Sequence, residues 1–270
     1  MSDSSTPSDA DDPALDALAD VATRAVRAGG DYLEDAFRDG HVAGEYGNDD
    51  VKTDADRAAE ARVLDVVRGA FPDHAVHGEE SGRNGDHRYE WVVDPLDGTN
   101  NFASGLPAFA TAAAVRRGGE PGVAAIHEPL QDSTYVACRG VGATVNGTPL
   151  SADSDVPLEH GTVSFVLGLP AVRDPDLAAT AERIESAVDD RVKRVVSTWA
   201  PAVDWGLLAR GGLEGIVCFH PDVYEQHAGE LLAAESGVVS HGNGSDGLYV
   251  GATDAETATA LHDVAAAVLD

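Results

Sequence analysis

Trp91-Val92-Val93-Asp94-Pro95-Leu96-Asp97-Gly98-Thr99-Asn100-Asn101-Phe102 begins as a short apolar strand and ends in two carboxylates three residues apart. Pro95 breaks the strand and Gly98 permits a tight turn, so both carboxylates and the Leu96 carbonyl can converge beyond the strand's carboxyl end. Such hard oxygen donors suit Mg²⁺, which takes one or two protein carboxylates and fills its other positions with water and substrate phosphate. Thr99 can open a helix whose free N–H groups would hold a phosphate, and its hydroxyl can orient a water. Taken alone, the stretch is also an ordinary surface turn, because Asp, Pro and Gly favour turns for conformational reasons.

Two companions lie upstream: His77-Gly78-Glu79-Glu80-Ser81, and Lys52-Thr53-Asp54-Ala55-Asp56-Arg57-Ala58-Ala59-Glu60. Apolar spacing predicts helices over 11–37 and 53–71, the second capped by Thr53 or Asp54 and stopped by Pro72. The period then changes. Short apolar runs at 89–93, 110–116, 122–127 and 133–138 predict a strand-rich block, followed by a hairpin over 141–148 with Asn146-Gly147 at its turn. Beyond a polar stretch at 151–157, strands (162–167, 192–196, 215–218) alternate with helices (175–188, 202–210, 226–235, 253–269). The pattern predicts an α+β half over 13–150 and an α/β half over 151–270, preceded by a disordered acidic tail at 1–12.

The 270 residues are 43% hydrophobic, enough for a substantial core. No apolar run reaches the roughly 20 residues that span a bilayer, and the first dozen residues carry no apolar signal region. A membrane role is therefore not expected, and a cytoplasmic location is. Acidic residues number 47 against 18 lysines and arginines, a formal charge of -29. That field repels nucleic acid and anionic membranes. One reading of the charge is a basic protein partner; the other, favoured because the acids are spread along the whole chain, is adaptation to molar salt, where self-repulsion is screened. Cys138 and Cys218 lie in short apolar segments and are expected to be buried free thiols.

The three ordered motifs together resemble the inositol monophosphatase superfamily, the lithium-sensitive phosphatases that include archaeal fructose-1,6-bisphosphatases. The family's G-E-E-S matches Gly78 to Ser81, and its W-[IV]-[IV]-D-P-[IL]-D-G-T-x-N-F matches Trp91 to Phe102 throughout. Its D-x-V-T-x-x-D-x-x-x-E is similar to Asp50 to Glu60, with Lys52 in place of the valine. The resemblance implies a layered αβαβα sandwich and a Mg²⁺-dependent phosphatase of small phosphate esters (inositol phosphate, sugar phosphate or fructose-1,6-bisphosphate). Carried over by position, the metal ligands are Glu79, Asp94, the Leu96 carbonyl, Asp97 and Glu225, with Glu79, Asp56 and Thr99 in catalytic roles. The implied mechanism is direct in-line attack by a water activated by two or three Mg²⁺ ions, without a phosphoenzyme. A cytosolic homodimer follows by the same analogy.

The second half departs from the family. Glu225, in Tyr224-Glu225-Gln226-His227-Ala228-Gly229, takes the position of a family aspartate and adds a methylene; Asp222 is the alternative ligand. The family's substrate-contacting G-[ST]-A-A turn falls on Trp199-Ala200-Pro201-Ala202, and its acidic contact to substrate hydroxyls falls on Cys218, which cannot accept the same bonds. The substrate-binding set expected from the resemblance is thus Asp97, Gly98, Thr99, Trp199, Ala200, Pro201 and Cys218. The altered second half also motivates a second reading, a non-catalytic homologue that binds metal or phosphate ligands in regulation or assembly. Under a third, a merely structural acidic protein, the carboxylates would not converge.

Overall fold

A computed structural model describes residues 13–40, 44–47, 51–242 and 247–269. The tail at 1–12 and Asp50 lie outside the described residues. The chain opens with α1 (Leu15–Asp39), a short antiparallel pair β1 (Gly44–Tyr46) and β2 (Val51–Thr53), and α2 (Asp54–Ala70). Thr53 caps α2 reciprocally: its hydroxyl accepts from Ala55 N–H while its own N–H donates to the Asp56 carboxylate at 2.7 Å.

Then follow β3 (Ala75–Gly78), β4 (Gly82–Asn84), β5 (Tyr89–Asp97), α3 (Thr99–Ser104), β6 (Ala110–Arg117), β7 (Glu120–Glu128), β8 (Ser133–Cys138), β9 (Gly142–Val145) and β10 (Thr148–Pro149). They form an eight-stranded sheet in the order β10-β9-β8-β7-β6-β5-β3-β4, parallel only between β3 and β5. The Asn146-Gly147 turn is as the sequence suggests, both residues having positive φ. Pro95 does not end β5. The strand runs on to Asp97 through a shift of register against β6 between Asp94 and Asp97. Pro95 donates nothing to a ladder but is tolerated at such an irregularity, and its carbonyl is used by the Thr111 hydroxyl at 2.9 Å.

The remaining elements are β11 (Thr162–Leu167), α4 (Leu169–Val172), α5 (Pro175–Asp189), β12 (Arg194–Val196), α6 (Pro201–Ala209), β13 (Gly215–Phe219), α7 (Val223–Glu235), β14 (Val239–Gly242), β15 (Leu248–Ala252) and α8 (Ala255–Ala266). Their five-stranded sheet has the order β12-β11-β13-β15-β14. β11 runs parallel to β12 and β13, and β15 runs antiparallel to β13 and β14.

Three apolar clusters show how the layers stack. Leu18, Val26, Val63 and Val67 of α1 and α2 pack on Trp91, Val93 and Val123 of the large sheet. Its other face meets Trp205, Leu208 and Leu232 of α6 and α7, which also cover Ile216 and Tyr249 of the small sheet. Ile184 and Leu261 of α5 and α8 close the far side on Val217 and Val250. The result is a five-layer αβαβα sandwich, as expected, and its middle layer draws on both sheets. No helix among the described residues is long and apolar enough to cross a membrane.

Candidate active site

The end of β5 and the start of α7 point their acids into one cavity of about 390 Å³. Glu79, Asp94, Leu96, Asp97, Gly98, Thr99, Trp199, Pro201 and Glu225 all line it. Asp94, Asp97 and Glu225 are each only 5% exposed. Burial, followed by repulsion from Glu79, Asp97 and Glu225, drives the Asp94 carboxyl well above its usual range. Burial raises Asp97 and Glu225 likewise, and for Asp97 the Ala202 N–H opposes the shift by donating to Oδ2 at 2.8 Å.

The loop carrying Glu79 is held from two sides. Glu79 N–H donates to the Val93 carbonyl at 3.1 Å, and the buried Glu60 carboxylate accepts from Glu80 N–H at 2.9 Å. Lys52, the odd residue of the first motif, bonds the Glu80 carboxylate at 2.6 Å. This lysine answers the second acid of Glu79-Glu80, which is 8% exposed at its side chain.

Asp56 sits behind Thr99. Its Oδ1 accepts the Thr99 hydroxyl at 2.9 Å, and Oδ2 accepts both the N–H and the hydroxyl of Thr53. Burial raises this carboxyl, against the pull of those bonds. The Thr99 hydroxyl also lies 2.9 Å from the Leu96 carbonyl. Gly98 has φ of 90°, and a side chain there would meet the Ala108 carbonyl at 2.8 Å and the Ala200 Cβ at 3.0 Å. Only glycine makes this turn without strain.

As the side chains stand, no three acidic, histidine or cysteine groups among the described residues are gathered tightly enough to hold a metal ion. The donor set nevertheless suits one. Among the described residues, eight acidic ones and no lysine or arginine line the cavity, and buried carboxylates of one sign are stable only with a counter-charge. Oxygen donors alone favour a hard cation such as Mg²⁺ over a softer metal.

Of the two candidates on α7, Glu225 is the buried one, and Asp97 ranks first among the charges acting on it. Asp222 is turned to the Leu169 N–H, which it accepts at 2.9 Å. The helix starts at Val223, earlier than the sequence suggests, and this carries Glu225 inward on its first turn.

Two expected substrate contacts are corrected. Cys218 is fully buried in the middle-layer core and does not line the cavity, because its strand position faces the α6–α7 packing. Ala200 is likewise buried beneath the turn of Gly98. Both cysteines are free, although Cys138 is only half-buried. His227 does not line the cavity either. Conversely, Asp204, Ser197, Glu182, Glu185 and Tyr224 line it without having been singled out in the sequence. For Asp204 a signal was present: an acid within the apolar helix Ala202-Val203-Asp204-Trp205-Gly206-Leu207-Leu208 must be buried for a reason.

Known proteins resemble this chain in sequence and fold. The inositol monophosphatase family profile matches residues 14–270. The Escherichia coli K12 protein named Nus factor SuhB is 33% identical over 224 residues, covering 82% of this chain and 83% of that protein. The Aquifex aeolicus fructose-1,6-bisphosphatase/inositol-1-monophosphatase is 34% identical over 225 residues, with 82% and 83% covered. The structure of inositol monophosphatase from Anabaena (Nostoc) sp. PCC 7120 superposes with a TM-score of 0.78 at 25% identity, covering 94% of this chain and 96% of that one. Motifs, layers and relatives agree, and the chain belongs to the inositol monophosphatase family.

Proposed function

We propose that the protein hydrolyses small phosphate monoesters with the help of Mg²⁺. The observation that carries this reading is the gathering of Glu79, Asp94, Asp97 and Glu225 around one cavity with Thr99, and with no basic residue among its described lining. Glu79, Asp94, the Leu96 carbonyl, Asp97 and Glu225 would hold two or three ions, which when bound supply charge neutralisation and activation of water. The chain's own part is orientation and proton handling. Asp56, fixed by Thr53, draws the Thr99 hydroxyl into a set direction at the cavity wall, so that Thr99 Oγ1 can align the attacking water. The N–H groups that open the helix after Gly98 would serve as donors to a phosphate. With no lysine or arginine lining the cavity among the described residues, a second phosphate has no partner. A monophosphate therefore suits the site better than fructose-1,6-bisphosphate.

The test is phosphate release from a substrate panel in high salt, with Mg²⁺ against EDTA. Asp97→Asn should cut turnover by at least about a hundredfold, since disturbing even a ligand's hydrogen-bond partner costs roughly 10–100-fold. Absence of Mg²⁺-dependent turnover on every substrate would sink the reading.

A second reading, a non-catalytic regulatory homologue, is favoured by one finding: several relatives are named Nus factor SuhB. It requires ligand binding by calorimetry without turnover.

A further inference from the structure

Asp204 lies on the first turn of α6, is 1% exposed, and lines the cavity together with Phe165, Ser197 and Pro201. Its two oxygens are used unequally. Oδ2 accepts the Ser164 hydroxyl at 2.7 Å and the Thr198 hydroxyl at 2.8 Å, whereas Oδ1 is buried without any hydrogen-bond partner. A carboxylate oxygen left dry costs several kcal/mol in order-of-magnitude terms, and an orphan of this kind in a cavity wall calls for a ligand. The two hydroxyls come from β11 and from the loop before α6, so Oδ2 is held from two elements while Oδ1 is left over.

The wall also carries the apolar Phe165, Leu167 and Pro201, and Trp199 stands 51% exposed at the rim. Nearby, the Ser197 hydroxyl is already engaged by the Glu185 carboxylate and the Phe165 carbonyl. Asp204 thus brings a buried carboxylate oxygen without a partner to the wall of this cavity.

We propose that Asp204 is a specificity-determining residue: its Oδ1 accepts a hydrogen bond from a hydroxyl or ammonium group on the leaving alcohol. This rests on the phosphatase reading above. Substrates bearing such a donor would be preferred over monophosphates of plain apolar alcohols, because the site's orphan acceptor is satisfied only by the former.

The decisive variant is Asp204→Asn. The amide carbonyl can keep both hydroxyl bonds made to Oδ2, and the NH₂ group then stands where Oδ1 was, so an acceptor becomes a donor in nearly unchanged shape. Full-length wild type and variant are compared in high salt with Mg²⁺ on phenyl phosphate, glycerol 2-phosphate and O-phosphoethanolamine. The first alcohol has no donor, the second has hydroxyls and the third an ammonium.

The expected result is a rise in KM of about tenfold or more for one or both donor-bearing esters, the cost of an unmade charged hydrogen bond. For phenyl phosphate, kcat/KM should stay within about twofold. The ester that loses more identifies the donor. Equal losses on all three, or none, would overturn the proposal.

Thr198→Val removes one of the two anchors and should shift the same ratio in the same direction. It carries the test if Asp204→Asn fails to fold by circular dichroism. If wild type hydrolyses none of the three, the phosphatase reading falls. The same compounds are then titrated by calorimetry, where selective loss of the donor-bearing ligands in the variant supports the role of Asp204, and equal or absent binding refutes it.

Discussion

The main-chain N–H of Ala202 donates to Oδ2 of Asp97 at 2.8 Å across 105 residues of sequence. One metal-ligand candidate from β5 is therefore fixed by the first turn of α6. Nearby, the Asn101 side-chain amide donates to the Ala108 and Thr198 carbonyls at 2.8 and 2.7 Å. The two sheets are stitched together at the site itself.

Asn101→Ala should break both of those bonds and leave two carbonyls short of a donor. A loss of about 1–3 kcal/mol is expected, read from the urea midpoint. KM should rise as the loop before α6 loosens. Unchanged stability would show that the stitch is dispensable.

Gly98→Ala should be costlier for activity than for folding. The added Cβ meets the Ala108 carbonyl at 2.8 Å at φ of 90°, and left-handed backbone costs a non-glycine residue roughly 1–2 kcal/mol. Relief comes by shifting the turn that presents Asp97 and Thr99. A fall in kcat with a folded protein is the expected outcome; wild-type kcat would contradict it.

The motif-bearing parts of this architecture are legible in the sequence alone. Trp91 to Phe102, Glu79 and Asp56 carry their chemistry within a few residues of sequence, and capping by Thr53 is a local rule. The spacing of α1, α2 and the antiparallel strands was visible for the same reason. What escaped depends on partners far away. Pro95 reads as a break until the irregularity opposite β6 is seen. β14 and β15 are hidden by the glycine-rich stretch around 237–247, and Cys218 takes its direction from packing against α6 and α7. Asp204 is defined by Ser164 and Thr198, and no spacing rule connects those three.

The acid cluster should set stability against function. Without divalent cations, Asp97→Asn removes one of several repelling buried carboxylates and should raise the unfolding temperature by a few degrees, about 1–2 kcal/mol for a chain of this size. With Mg²⁺ the order should reverse, because binding to the native state stabilises the wild type by mass action. Thermal scans of both proteins with EDTA and with Mg²⁺ check this. No crossing of the two curves would mean that the acids are not a cation site.

Trp199 has φ of 58° without being glycine. Trp199→Gly should therefore gain up to about 1–2 kcal/mol from relief of the left-handed backbone, less the entropy glycine adds to the unfolded chain. It also removes an indole from the cavity rim, so KM for the alcohol should change. A loss of stability would show that the indole packs more firmly than its exposure indicates.

His74 supplies a pH signature. Its ring stacks on Phe71 with centroids 4.5 Å apart, and its Nδ1 accepts from the Trp91 indole at 3.0 Å. Burial, with His87 beside it, lowers its pKa to about 4 from the usual 6.5. Between those values the unfolded chain binds a proton that the native protein refuses, so stability falls as pH drops from about 6.5 to about 4. His74→Phe should flatten that decline in urea titrations run across the window. An identical slope in both proteins would assign the pH dependence to other groups.

The stitching of Asp97 to Ala202 also bears on synthesis. A chain leaves the ribosome amino end first, so Glu79, Asp94 and Asp97 are made well before the helix that fixes them and before Glu225. A nascent or truncated chain that stops short of α7 carries the signature motif in full and still has no assembled site. The motif therefore marks ancestry from its first appearance, whereas competence arrives only with the last quarter of the chain.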